Sequence, residues 1–333
     1  MKLATYANGG RDGCLMLVSR DLGVAVAAGI APTLQSALDH WDEVAPALEA
    51  GYRALNRGEC EDCLPFDPAQ CLAPLPRAYQ WADGSAYPHH VEQVRRARGA
   101  AMPERYYDEP LLYQGCSDPF LPPHSALALA DPRWGLDFEA EVAVIVGDVA
   151  SGAGEAHCAQ AIRLLMLVND WSLRELIPSE LARGFGFFQG KPPCAASPLA
   201  VTPDEAGPAW RDGRLHLTMR VDLNGRPFGR AAAGGMCFSF PRLLAHAART
   251  RALGAGTVLG AGTVSSPDPG SGECCVIERR MREQLEQGRP LTPYLRSGDR
   301  VRIEMLDADG HSLFGAIEQE VTEAAANGVP ASI

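Results

Sequence analysis

Positive charge is in deficit in this sequence. Thirty Lys and Arg stand against 41 Asp and Glu, a formal net charge of −11. A nucleic-acid or anionic-membrane partner requires clustered Lys and Arg, and the densest basic runs, RRAR at 95–98 and ERRMRE at 278–283, are short and interrupted. Also missing is any apolar run near the ~20 residues of a membrane span. The opening MKLATYANGGRDG turns polar before a signal-peptide core can form. These absences lead us to expect a cytoplasmic protein with neither a membrane nor a nucleic-acid partner. The ten cysteines lack the rhythm of a disulfide framework, which fits a reducing compartment. CEDC at 60–63 has zinc-knuckle spacing and Cys71 follows, but a fourth ligand and a second C-x2-C are missing, so Cys60 and Cys63 are expected to be loop thiols. GAGTVLGAG at 254–262 lacks the G-x-G-x-x-G spacing of a dinucleotide loop, and its Thr-Val pair suggests strand. No repeat of fixed period is present.

What is there is an ordinary globular composition, 46% hydrophobic and 21% charged, in 333 residues, enough for about two domains. KLATYAN, CLMLVS and GVAVAAG suggest three short strands, and Leu34, Leu38, Trp41, Val44, Leu48 and Leu55 recur at helical spacing over 33–57. Proline-rich LPFDPAQCLAPLPRAY suggests a linker near 64–78. We therefore expect a small β-rich N-terminal domain over 1–72 and a larger domain over 73–333. In the latter, LHLTMRVDLNGRPFGR contains an Asn-Gly hairpin signal and DRVRIEMLDADGHSLFGAIEQEV suggests a second hairpin. Helices are expected near 155–167, 172–184 and 240–250. With few βαβ alternations, the fold class is mixed α/β, β-rich and largely antiparallel.

Within this pattern, LDFEAEVAVIVGD at 136–148 is odd. Past Asp137 it has the alternation of a buried strand, yet Glu139 and Glu141 share one face at its head. Two such carboxylates repel each other and resist ionisation unless they share a proton, form a salt bridge or bind a divalent cation. Asp170 closes another apolar run, LLMLVND, although Ser172 and Glu175 already offer a capping box to the helix expected there. Asp83, in WADGSAY, sits at a further strand-to-turn junction. Oxygen ligands from three or four acids select a hard cation: Mg²⁺, Mn²⁺ or Ca²⁺, with Mg²⁺ expected first.

The motifs FEAEVAVIVG, VNDWSLRE, GFFQGKPPCAASPLAV and GAGTVSSPDPGSG, in that order, resemble those of the fumarylacetoacetate hydrolase family over about residues 80–320. The first 70 residues are similar to the small N-terminal domain of two-domain members. The resemblance implies a β-roll or sandwich catalytic domain and a homodimer. It implies metal ligands at Asp83, Glu139, Glu141 and Asp170, and a base at His90 oriented by Glu278. Lys191 and Arg98 would act near the reacting oxygens, with Tyr113 and Thr263 at the substrate. Three positions depart from the family pattern: Ser85, Cys194, and Ile177 in place of an oxyanion-stabilising glutamine, so that either Gln189 substitutes for it or the carbonyl site differs. The implied activity is hydrolysis of a C–C bond in a β-diketone acid, most simply fumarylacetoacetate to fumarate and acetoacetate. An acylpyruvate hydrolase, an oxaloacetate decarboxylase or a 2-oxo acid hydratase would use the same metal site, and a metal-binding protein without catalysis is the reading from outside enzymes.

Overall fold

The computed structural model describes residues 1–324 except 98 and 118. Its backbone is organised by an eleven-stranded sheet. The strands run in the order Leu64–Pro65, Val24–Ala27, Cys14–Val18, Lys2–Tyr6, Leu199–Val201, Ile162–Asn169, Ala140–Val146, Val258–Thr263, Trp81–Gly84 and Leu112–Gln114, with Ala195–Ala196 also paired to Ile162–Asn169. Neighbours are antiparallel except Val258–Thr263 beside Trp81–Gly84, which are parallel. The N-terminal strands are thus continuous with the larger domain through the Lys2–Tyr6 and Leu199–Val201 pairing. The expected linker at 64–78 holds a two-residue edge strand and a single 3₁₀ turn, Pro68–Gln70, as its prolines allow.

Ala140–Val146 lies at the heart of the sheet and is buried on both faces. Val142, Val144 and Val146 enter one apolar cluster with Leu165, Leu167 and Phe314. Ala143 and Ile145 enter another with Leu164, Met166, Val168 and Trp81. Each large side chain so buried contributes roughly 1.5–3 kcal/mol, which makes this strand a stiff base for the residues at its head. Against the valine face packs a five-stranded sheet ordered Arg226–Ala232, Thr218–Leu223, Arg300–Met305, Ile317–Glu323 and Leu127–Leu129. Its first hairpin turns at Asn224 and Gly225, both at positive φ, as the Asn-Gly signal predicts. Val258–Thr263 is likewise a strand, as its Thr-Val pair suggests.

Helices depart more from expectation. The segment 33–57 forms two helices, Leu34–Asp39 capped by Thr33 and Trp41–Asn56, broken at His40. The expected helix at 155–167 stops at Ala161, because IRLLMLVN joins the central sheet as a strand. A continuous apolar run of this length fits either state, and the open edge of the Glu141 strand decides it. At 172–184 the capping box does not form. Ser172–Leu173 pairs instead with Leu136–Asp137, and only Ile177–Leu181 is helical. Phe240–Ala247 is helical as expected, with Ser239 as its cap.

Candidate metal and active site

Four elements meet around one cavity of about 150 Å³ at the C-terminal end of the Trp81–Gly84 strand. Asp83 comes from that strand, Glu139 and Glu141 from the head of the central strand, and Asp170 from the end of its neighbour, where its backbone N–H donates to Glu139 O (3.0 Å). Thr263 lies opposite Glu141 in register and closes the floor. Two glycines make room for Asp83 and for the backbone that follows it. A Cβ on Gly260 would fall 2.3 Å from its Oδ1, and one on Gly262 would fall 2.4 Å from Gly84 O. Gly262, at φ +85°, points its N–H at Asp83 Oδ1 (2.9 Å).

All four carboxylates are buried, but their partners differ. Glu139 accepts from Arg174 Nη2 (2.6 Å) and Lys191 Nζ (2.5 Å). Burial opposes its ionisation, yet these two cations hold its carboxyl well below the ordinary range. Asp170 accepts from Lys191 Nζ and the Tyr113 hydroxyl through Oδ2, and from Cys194 Sγ through Oδ1 (2.9 Å). Neither oxygen of Glu141 has a hydrogen-bond partner among the described residues. Burial, with Asp83 and Asp170 beside it, drives its carboxyl well above the ordinary range, and burial and Asp170 push Asp83 up to about 8. Carboxylate oxygens of Asp83, Glu141 and Asp170 all lie within 4.8 Å of one another. A buried, partnerless carboxylate at the centre of an all-oxygen donor set fits a hard divalent cation. Asp83, Glu141 and Asp170 could hold it, with Glu139 alongside but already occupied by Arg174 and Lys191.

Across the cavity, Pro88–Ala97 begins with proline at its first turn, and His90 follows. His90 Nδ1 lies 2.7 Å from Glu278 Oε1, and Nε2 faces the cavity, 4.0 Å from Glu139 Oε1. With the carboxylate accepting, Nδ1 carries the proton and Nε2 keeps its lone pair. Glu278 lies in the first turn of Val276–Gln287. That helix start is held by Asp137, whose carboxylate accepts from the N–H groups of Val276 (2.6 Å) and Ile277 (3.0 Å) and from Arg174 Nε (2.8 Å). Asp137 therefore ties the helix bearing Glu278 to the cation that balances Glu139.

His90, Lys191, Tyr113 and Thr263 thus line one cavity with Asp83, Glu139 and Glu141, and Asp170 joins them through its hydrogen bonds from Tyr113 and Lys191. Gln189 is not: its side chain is exposed outside the cavity, and its backbone N–H donates to Glu180 Oε1 (2.7 Å). The loop ahead of Lys191 is held to Glu180 by three consecutive N–H groups, which faces Gln189 outward. Arg98 lies outside the described residues. Ser85 and Ile177 line the cavity, Ile177 as part of an apolar wall with Val91, Val94, Leu181 and Phe187. Sequence reasoning missed Arg174, since a single arginine has no spacing signature. Asp137 did have a signal, because it alternates in step with Glu139 and Glu141. Cys60 and Cys63 are free thiols, linked only by Cys63 Sγ donating to Cys60 O (3.4 Å).

Two family descriptions match the chain: "Fumarylacetoacetate (FAA) hydrolase C-terminal" over residues 80–322 and "Fumarylacetoacetase N-terminal domain 2" over residues 1–77. Both descriptions name a class of hydrolases. The chain belongs to the fumarylacetoacetate hydrolase family and has its two-domain architecture. It is 24% identical over 218 residues to a 2,4-didehydro-3-deoxy-L-rhamnonate hydrolase of Sphingomonas sp. (strain SKA58), a match spanning 65% of this chain and 66% of that protein. Its fold is similar to maleylpyruvate hydrolase from Sphingobium sp. SYK-6, solved with manganese(II) and pyruvate (TM-score 0.65, 17% identity, 98% and 100% of the two chains). It is also similar to 5-carboxymethyl-2-hydroxymuconate delta-isomerase from Mycobacterium smegmatis (TM-score 0.60, 18% identity, 98% and 100%). Among the described residues no helix is long and apolar enough to cross a membrane.

Proposed function

We propose that this protein is a cation-dependent hydrolase that cleaves the C–C bond between the two carbonyls of a β-diketone acid, with fumarylacetoacetate as the simplest substrate. The observation that carries this reading is His90, with Nδ1 on Glu278 and Nε2 facing the carboxylate cluster across one cavity. Asp83, Glu141 and Asp170 would hold a divalent cation, which would supply Lewis-acid stabilisation of the negative charge that cleavage leaves on the substrate's oxygens. His90 Nε2 takes a proton from the attacking water, and Glu278 stabilises the imidazolium that forms. Lys191 and Arg174, which line the cavity, meet the negative charge that develops on the substrate's oxygens. The C–C bonding pair passes to the departing carbon, which takes up a proton as the acid fragment leaves. Tyr113, hydrogen-bonded to Asp170, and Thr263 border the substrate's place. Mg²⁺ is the cation proposed first, and Mn²⁺ fits the same donors.

A second reading, an acylpyruvate hydrolase, is favoured by Ile177 in the cavity wall and Gln189 outside it. It is supported by relatives named for maleylpyruvate, a pyruvate bearing an acyl group, and for a 2,4-didehydro acid. Loss of the enol absorbance of fumarylacetoacetate and of a short acylpyruvate, each measured with and without Mg²⁺, separates the two. Cleavage of neither by the Mg²⁺-loaded protein overturns both.

A further inference from the structure

The His90–Glu278 pair has a third neighbour that the proposed reaction leaves unused. Cys275 is fully buried immediately before the helix that carries Glu278, with Sγ 3.9 Å from His90 Nδ1. One ligand atom each from Cys275, His90 and Glu278 falls within 4.8 Å of the other two. Ligands bonded to one tetrahedral zinc at about 2.0–2.3 Å stand roughly 3.3–3.8 Å apart, so small side-chain rotations would bring the three into place. Sulfur, nitrogen and oxygen together suit a thiophilic cation, whereas the carboxylate cluster suits a hard one. A separate crevice of about 380 Å³, lined by His89, Gln93, Arg282 and Glu278, opens onto Glu278, one member of the trio, away from Asp83, Glu141 and Asp170.

We propose that Cys275, His90 and Glu278 form a second cation site, selective for zinc-like ions, whose occupation switches the proposed base off. The proton balance gives the mechanism. The cation takes a thiolate, a carboxylate and one imidazole nitrogen, so the thiol proton leaves to solvent and the ion with its ligands is electrically neutral, as a buried site requires. Nδ1 becomes a ligand, and its proton moves through solvent to Nε2. The imidazole stays neutral but presents an N–H to the cavity in place of a lone pair. It can then no longer accept a proton from water.

Three measurements test this. In crystals soaked in zinc with excess Mg²⁺, an anomalous peak between Cys275 Sγ, His90 Nδ1 and Glu278 is expected. A peak only at Asp83, Glu141 and Asp170, or only at Cys60 and Cys63, overturns the proposal. In a Cys60→Ser/Cys63→Ser background, cobalt(II) should produce a near-ultraviolet thiolate-to-metal band that disappears with Cys275→Ser and with Cys275→Ala. A band that is absent, or indifferent to Cys275, also overturns it. With excess Mg²⁺ present, zinc should lower turnover about a hundredfold, the scale of a lost general base, and leave Cys275→Ser unaffected; equal inhibition of both proteins counts against the site. The anomalous peak and the cobalt band do not depend on turnover, so they stand even if the diketone acid proposed above is the wrong substrate.

Discussion

Glu139 and Glu141 are the same residue type, two positions apart at the head of one strand and both buried, yet they lie in opposite electrostatic surroundings. Glu139 has two cationic partners and is held ionised. Glu141 has none and, beside Asp83 and Asp170, is driven toward its neutral form. Of the three ways a same-face pair can be tolerated, the protein uses the salt bridge at one and leaves the other suited to a cation. Side-chain identity therefore does not fix the role of either glutamate. Arg174 and Lys191, which bond Glu139 and not Glu141, make the difference.

The largest expected effect comes from breaking the Glu141 side. Glu141→Gln should weaken Mg²⁺ binding by at least about a hundredfold, since loss of even an outer-shell partner can cost that much. It should nevertheless raise the melting temperature of the metal-free protein at pH 8, because a buried, partnerless carboxylate has been removed. Calorimetric titration and a thermal melt check both, and unchanged Mg²⁺ affinity refutes the ligand assignment. Glu139→Gln should do the opposite to the metal-free protein, lowering its stability by about 3 kcal/mol in chemical denaturation. This is the low end for breaking a buried pair, because Arg174 keeps Asp137 and Lys191 keeps Asp170. If both variants move stability in the same direction, the contrast between the two glutamates is wrong.

That contrast was only half legible beforehand. Period-2 spacing put Glu139 and Glu141 on one face, and the end of LLMLVND marked Asp170, because carboxylates there break an apolar pattern. The seven-residue gap from Asp83 to His90 carried the rest through family resemblance. The difference between the glutamates could not be read, because Arg174 and Lys191 reach Glu139 from 35 and 52 residues away in sequence. The strand at Ile162–Asn169 was hidden for a related reason: its state depends on pairing with Ala140–Val146, which local periodicity does not contain. Gln189 was misplaced because a motif position says nothing about which way a loop faces, and here Glu180 sets that orientation.

A pH titration sharpens the comparison without mutation. Asp83 is raised from 3.8 to about 8 and Glu141 is raised too, so the metal-free native state binds more protons than the unfolded chain across that interval. Their contribution is present below pH 4 and is lost as pH rises toward 8. Glu139, shifted down, acts with the opposite sign: its contribution is present above the ordinary glutamate value near 4.5 and is lost only as pH falls below it. Stability of the metal-free protein should therefore decline from about pH 5 to pH 8, and saturating Mg²⁺ should flatten the decline. A metal-free protein that gains stability over this range would contradict the account of Glu141.

The smallest effect expected is the most diagnostic of how the two sides of the site are joined. Asp137 balances Arg174 and caps the Glu278 helix, but it is not among the residues that could hold the cation. In Asp137→Asn the amide keeps one acceptor for the helix N–H groups, while its NH₂ group replaces the other acceptor and the charge facing Arg174 is gone. Stability should fall by about 1 kcal/mol, the usual scale of a lost cap, and by less than in Glu139→Gln because burial holds the Asp137 carboxyl above its ordinary range and already disfavours its charge. Arg174 would then be balanced by Glu139 alone, and the helix start would loosen under Glu278. Turnover should drop about tenfold through kcat, with KM and Mg²⁺ affinity unchanged, because neither the cavity wall nor the carboxylate cluster is touched. Asp137→Ala, which removes both acceptors, should lose more on both counts. A purely structural role would lower stability in both variants and leave kcat per folded molecule intact, so the kcat-to-stability ratio across the pair decides whether Asp137 positions Glu278 or only holds the fold.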